Sequence, residues 1–302
     1  MERAVACYHF SLTHKSRFRA HCLGVAAAVS LSLVASTAGA HGDLHEQIAA
    51  VTREIAAHPQ DARLYLRRGE LHRFHGELRA ALADYERAQS LDPTLAEADL
   101  GRGRALLEAN RAHAARHSLT HFVHARPKDP DGHIELARCL VRLARPAEAA
   151  DEYSRAIAVA PRPTPDSYVE RANALAAAGR REEAIRGLDD GLRRLGPVVS
   201  LQEVAIENEV ARKNWDGALA RVDSVAALSP RRESWLVRRA EILTAAGRPR
   251  EARATYREAL AAIGTLPPRL RETRAMRRLE AQVMRSLDTL GSDEKEKSDA
   301  KS

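Results

Sequence analysis

Four histidines, His113, His117, His121 and His124, are the side chains of this sequence best spaced to do chemistry. Steps of 4, 4 and 3 set them on one stripe of a helix that turns ~100° per residue. Imidazole is a common ligand of zinc, copper and nickel, and an i,i+4 pair on a helix can chelate a divalent ion. Four histidines on one helix cannot enclose a single ion, because eight residues at ~1.5 Å each put His113 about 12 Å from His121. The stripe therefore offers adjacent two-ligand sites at most, unless another element contributes. Ala115, Leu119 and Phe122 point the opposite way, so the histidines are expected to be outward and wet. The alternative to a metal role is a polar surface that happens to use His.

Two further features carry chemical potential. Residues 41–45 read H-G-D-L-H, and removal of everything before His41 would expose a free α-amine and imidazole near His45, a pair able to bind copper. Such a site needs a correct ligand count and geometry, and a chain terminus is ordinarily loose. Cys139 is flanked by Leu136, Leu140 and Leu143, which reads as a buried apolar thiol more readily than a reactive one. Enzyme signatures are missing: no phosphate-binding loop, G-x-S-x-G, H-E-x-x-H or zinc-spaced cysteine pair occurs. No cofactor is implied, and the chain is expected not to be an enzyme.

The elements that would position these residues are helical. The 302 residues are 44% hydrophobic but only 4% aromatic, with Ala, Leu and Arg dominant, a composition suited to many short helices packed through small residues. The net charge of +7 is carried by basic residues interleaved with acidic ones, which argues against nucleic acid. Residues 1–40 have the three parts of an export signal: Arg3, Lys15, Arg17 and Arg19, then the apolar run Cys22–Ala35, then Ala38-Gly39-Ala40. Cleavage after Ala40 is expected, giving a periplasmic or secreted chain. An uncleaved anchor is the alternative, although the segment falls short of the ~20 strongly apolar residues that span a bilayer. Cys7 and Cys22 would leave with the signal, so Cys139 would have no cysteine to pair with.

Pro59, Pro93, Pro127 and Pro161 are each 34 residues apart. Around them the same pattern returns: Tyr65, Gly69, Gly76, Ala81, Tyr85 and Ala88 in 62–95; Gly103, Ala115, Leu119 and Phe122 in 96–129; Ala137, Ala149, Tyr153 and Ala156 in 130–163. Thr164 shifts the phase by one. Then come Tyr168, Ala172, Gly179, Ala184 and Leu188 in 165–198, a degenerate unit with Ile206, Trp215, Ala218 and Pro230 in 199–232, and Leu236, Ala240, Gly247, Ala252, Tyr256 and Ala259 in 233–266. Small residues belong where two helices cross closely, and the large ones fill the gap to the next unit. The prolines stop each second helix, and Asp61, Thr94, Asp129 and Thr164 are expected to cap the first helix that follows.

These residues resemble the tetratricopeptide-repeat family. The resemblance implies an all-α, right-handed α-solenoid of about six helix pairs that binds proteins. An N-terminal capping half-unit is expected at 41–61, where Leu44, Ile48, Val51 and Ile55 recur at helical steps. A C-terminal capping helix is expected at 267–290, with Met276, Leu279, Val283, Leu287 and Leu290 in one stripe; residues 291–302 are expected to be a disordered charged tail.

The family's first helices line its concave surface. That resemblance puts Arg73 and Phe74, Arg104 and Leu107, and Arg138, Val141 and Arg142 in a groove, followed by Asn173, Glu207 and Glu241. The groove would pass from basic to neutral to acidic and suit an extended protein or peptide segment with an acidic end. The family's chaperone-tail clamp is not evident, since Leu66 and Glu70 stand where it uses Lys and Asn. The expected function is an extracytoplasmic interaction scaffold in an assembly of the cell envelope; the alternative is a periplasmic accessory protein that binds a divalent metal through the histidine stripe.

Overall fold

The computed structural model describes residues 43–299, with side chains described through residue 291. The export signal, its two cysteines, the His41 terminus and residues 300–302 lie outside the described residues. All regular structure within them is helical.

The chain forms two compact units, divided after Pro59. The described part of the first is α1 (43–57), whose expected stripe is its buried face: Val51 and Ile55 are buried while the intervening residues are exposed.

In the second unit six helix pairs follow one another: α2 (Ala62–Phe74) with α3 (Leu78–Leu91), α4 (Ala96–Glu108) with α5 (Ala112–Ala125), and α6 (Pro130–Arg142) with α7 (Pro146–Val159). Then come α8 (Pro165–Ala177) with α9 (Arg181–Leu195), α10 (Val199–Ala211) with α11 (Trp215–Leu228), and α12 (Glu233–Ala245) with α13 (Pro249–Gly264). Each pair packs on itself and on the next, and first helices also approach one another, as in α2 with α4, α4 with α6 and α8 with α10. This is the arrangement of an α-solenoid in which first helices form the inner row.

The small-residue rule holds at atomic detail. A Cβ on Gly69 would lie 2.9 Å from the Tyr85 ring, and one on Gly103 2.5 Å from Leu119. Each of these glycines thus makes room for a large residue of the second helix of its own pair. The turn inside every pair passes through a left-handed residue: Gly76, Asn110, Ala144, Gly179, Lys213 and Gly247 all have positive φ.

The caps agree in three of four cases. Asp61 accepts from the Arg63 amide, Asp129 from Asp131 and Gly132, and Thr164 from Ser167. Thr94 does not cap α4. Its amide and hydroxyl both donate to Asp92 Oδ1, at 2.9 and 2.6 Å, so the aspartate one residue before Pro93 organises the turn instead.

The apolar core divides inside α10. Leu201 and Ala205 belong with a cluster reaching back to Leu106, and Ile206 with one reaching forward to Leu290. After a short helix α14 (Pro268–Arg271), α15 (Arg274–Asp299) covers the second cluster with Met276, Val283 and Leu290 buried. This helix continues past Gly291, where the sequence predicts disorder. One glycine costs a helix only about 1 kcal/mol, and the Glu- and Lys-rich run beyond it has good helix propensity.

Candidate functional site

The inner row of first helices is a ladder of ion pairs, and its rungs join neighbouring units. Arg73 contacts Glu70 at 2.8 Å and, one unit on, Glu108 at 2.7 Å. Arg104 reaches Glu135 at 3.3 Å and Asp131 at 3.5 Å. Arg138 donates twice to Glu170, at 3.1 and 2.8 Å, and also meets Glu135 at 3.5 Å. Burial alone would raise the Glu170 carboxyl, but hydrogen bonds from Arg138 and Tyr153 outweigh it and hold that group below the usual carboxylate range.

This changes the expected groove. Its arginines are not a free positive surface, because the helix one repeat later supplies a carboxylate to each of Arg73, Arg104 and Arg138. Arg142 is the exception: exposed, it donates to the backbone carbonyl of Leu107 and has no carboxylate partner among the described residues. Leu107, expected in the groove, is not there. It is 4% exposed and belongs to the core, because its side chain turns between the helix pairs, so it cannot line a groove. Phe74 and Val141 are 67% and 49% exposed, with the Arg73 guanidinium 4.4 Å from the Phe74 ring centre.

Beside Val141 an apolar cleft of about 450 Å³ opens between α6 and α8, walled by Ala144, Pro146, Tyr153, Ala174 and Ala177. Asn173 and Glu170 stand at this cleft. Farther along, Glu207 lines a second cleft between α10 and α12, together with Glu203 and Trp235. Glu203 and Trp235 were not among the sequence-predicted groove residues. The available signal was the like-charge i,i+4 pair Glu203/Glu207, which a helix avoids without reason to keep it. Glu241 accepts from Gln282 of α15 at 2.8 Å and pairs with Arg238, so it is tied into the end of the solenoid.

The histidines are exposed as expected, but they do not act as one stripe. His113 and His117 border a cleft of about 490 Å³ between α5 and α7, amid Arg116, Glu148 and Asp151. His121 turns away to the buried Asp99, its Nδ1 2.5 Å from Oδ2. A histidine with no part in the pattern, His133, is buried with Nδ1 2.7 Å from Glu152 and Nε2 3.1 Å from the Pro127 carbonyl oxygen. Among the described residues no three His, Cys, Asp or Glu side chains are placed to hold a metal ion. Cys139 is fully buried, its Sγ 3.2 Å from the Ala112 carbonyl, and burial pushes its thiol up. No described helix is long and apolar enough to cross a membrane.

Tetratricopeptide-repeat family models match residues 62–95, 100–168 and 206–267, together more than half of the chain. The chain belongs to the tetratricopeptide-repeat family. Among solved structures it is similar to YrrB, a tetratricopeptide-repeat protein with an unusual peptide-binding site, at 24% identity and a TM-score of 0.52, covering 60% of this chain and 93% of YrrB. It is also similar to a chain in the Naa15/Naa10 complex bound to HypK-THB, at 13% identity and a TM-score of 0.51, covering 84% of this chain and 44% of that one. A tetratricopeptide-repeat protein from Parabacteroides merdae matches at 17% identity and a TM-score of 0.49, over 80% of this chain and 93% of that one. These likenesses concern the fold. No curated protein matches the chain.

Proposed function

We propose that this repeat protein is an extracytoplasmic scaffold that holds an extended segment of a partner protein along its row of first helices. The observation that carries the reading is the apolar cleft beside Val141. An exposed valine and a hole of about 450 Å³ lie in a stretch of the row where Arg73, Arg104 and Arg138 are each taken up by a carboxylate of the next first helix. Apolar side chains set between fixed polar groups are how a groove anchors and orients a peptide. Phe74 offers a second apolar contact, and Arg142 an unpaired cation for an acidic end of the segment. YrrB is described as having a peptide-binding site, the same kind of ligand. Catalysis is not assigned, since repeat scaffolds of this family generally work by holding partners.

Two measurements test the two halves of the proposal. Selection of random dodecapeptides on the immobilised chain should enrich sequences whose binding is lost in Val141→Asp while the helical circular dichroism is kept. Enrichment that ignores Val141→Asp and Phe74→Asp would overturn the groove. For export, the mature chain recovered from expressing cells should begin at His41 by mass spectrometry; a chain retaining Met1 would overturn that half.

A further inference from the structure

The cleft between α10 and α12 reverses the rule of the earlier rungs. It measures about 420 Å³, with Glu203, Ile206 and Glu207 on one wall and Ser234, Trp235 and Arg238 on the other. The two glutamates lie one helical turn apart, and neither has an ion-pair or hydrogen-bond partner among the described residues. Arg238 is the one cation of the cleft, and it is drawn to Glu241 of its own helix at 3.4 Å. Partial desolvation at the cleft wall, and next the neighbouring Glu207, push the largely exposed Glu203 carboxyl above its ordinary range, with Arg238 opposing. Like charges one turn apart cost a helix stability, so the unliganded protein carries an electrostatic penalty that an incoming cation would relieve. Trp235 offers an indole to stack on that cation. Ile206, 1% exposed, supplies an apolar floor for the methylenes behind it.

We infer that this cleft is a recognition pocket for a basic side chain, arginine foremost, of an extended partner segment lying along the first helices. Two carboxylates and a flat ring suit a guanidinium better than an ammonium, because its planar fork can be shared between acceptors while its face stacks. The inference rests on the first-helix row being the partner-binding face. It adds a chemical requirement that the Val141 cleft does not impose: the segment is basic where it meets α10 and α12, whatever its charge at Arg142.

The test uses the full chain and the random dodecapeptide library. Peptides enriched on the unaltered protein are expected to share an Arg or Lys at a fixed position. Their affinity, read by fluorescence polarisation, should fall at least tenfold in Glu203→Gln/Glu207→Gln, and equally when that Arg is replaced by Gln in the peptide. The double substitution keeps side-chain size and removes a repulsion, so it leaves the fold intact, which circular dichroism checks. Peptides whose binding is lost in Val141→Asp but unchanged in the double Gln variant would overturn the pocket and leave the groove standing. Absence of any enrichment would overturn both.

Discussion

The inner rows of the first three repeats and of the last two are built from the same residue types and do opposite things with them. In the early repeats Arg73, Arg104 and Arg138 each meet a carboxylate of the next first helix, so charge holds the stack together. In the late repeats Glu203 and Glu207 face a cleft whose arginine, Arg238, is drawn to Glu241 of its own helix, and the inter-unit pairs move to other helices. Arg221 of α11 meets Asp189 of α9 at 2.8 Å, and Arg248 meets Asp216 at 3.1 Å. Charge that is paired across a repeat is structural; charge left over on the inner row is available to a partner. A solenoid shows this distinction clearly because every position recurs and its pairing can be compared unit by unit.

The contrast breaks most visibly on removal of Arg138. That leaves the half-buried Glu170 with Tyr153 as its remaining donor, and a partly buried charge stripped of its counter-ion is costly. Arg138→Ala should lose about 1–2 kcal/mol in urea unfolding, whereas Glu207→Ala should stay within about 0.5 kcal/mol of the parent. The cycle Arg138→Ala/Glu170→Ala should return a coupling of roughly 1 kcal/mol. Equal effects at the early and late positions would end the distinction drawn between them.

The pairing explains why the fold was legible in the sequence and the site only partly so. Period, small-residue positions and helix stops are set within one unit, so Gly69 and Gly103 announce the large residues they admit. The left-handed turn was visible at Gly76, Gly179 and Gly247, but not at Asn110, Ala144 and Lys213, where the surrounding helix pair imposes the same backbone on residues that resist it. The groove arginines were legible as residue types on the correct helices. That their charge is neutralised depends on Glu108, Glu135 and Glu170, some 31 to 35 residues away, and only the superhelical geometry brings these within reach. Leu107 failed for a local reason: one residue turns a helix by ~100°, enough to carry a side chain from the inner face into the core. The buried pair His133–Glu152 left no periodic trace at all.

Other arginines point from a first helix to its own second helix, sixteen residues on, and they too differ in what they meet. Arg68 is held by both oxygens of Asp84, at 2.8 and 2.7 Å, while Arg102 meets Ser118 at 3.4 Å and Arg239 meets Thr255 at 3.1 Å. In the fourth repeat the corresponding partner of Arg171 is Gly187. Burial lowers the Arg171 guanidinium, and its Nε has no hydrogen-bond partner among the described residues. The group lies instead 5.5 Å from the Tyr168 ring centre. A Cβ on Gly187 would touch only the far end of Arg171, which can move aside. Gly187→Asp should therefore stabilise the protein by about 1 kcal/mol or more, combining a restored pair with the removal of a mid-helix glycine. Gly187→Ala supplies the helix part alone, so thermal melts of the two variants separate the pair from the propensity. Equal gains would mean that Arg171 needs no partner.

The smallest effect bears most directly on the late cleft. The Glu203 carboxyl is raised in the folded protein, so its ionisation opposes folding above that raised value, and the opposition disappears as pH falls through it towards the ordinary glutamate value of about 4.3. Glu203→Gln should then be more stable than the parent near pH 7, by no more than about 0.5 kcal/mol because the side chain is exposed and screened, and the gain should vanish near pH 4. Glu170 has the opposite sign: its carboxyl is depressed, so it contributes stability at neutral pH that is lost as pH falls below about 4.3 through the folded value. Glu170→Gln should be less stable than the parent at pH 7 and approach it in acid. Urea midpoints of the three proteins between pH 3.5 and pH 7 are the check. Two carboxylates of one inner row with opposite pH slopes would mark one as part of the scaffold and the other as a charge the scaffold keeps unpaired; slopes of the same sign would mean that Glu203 is merely another rung.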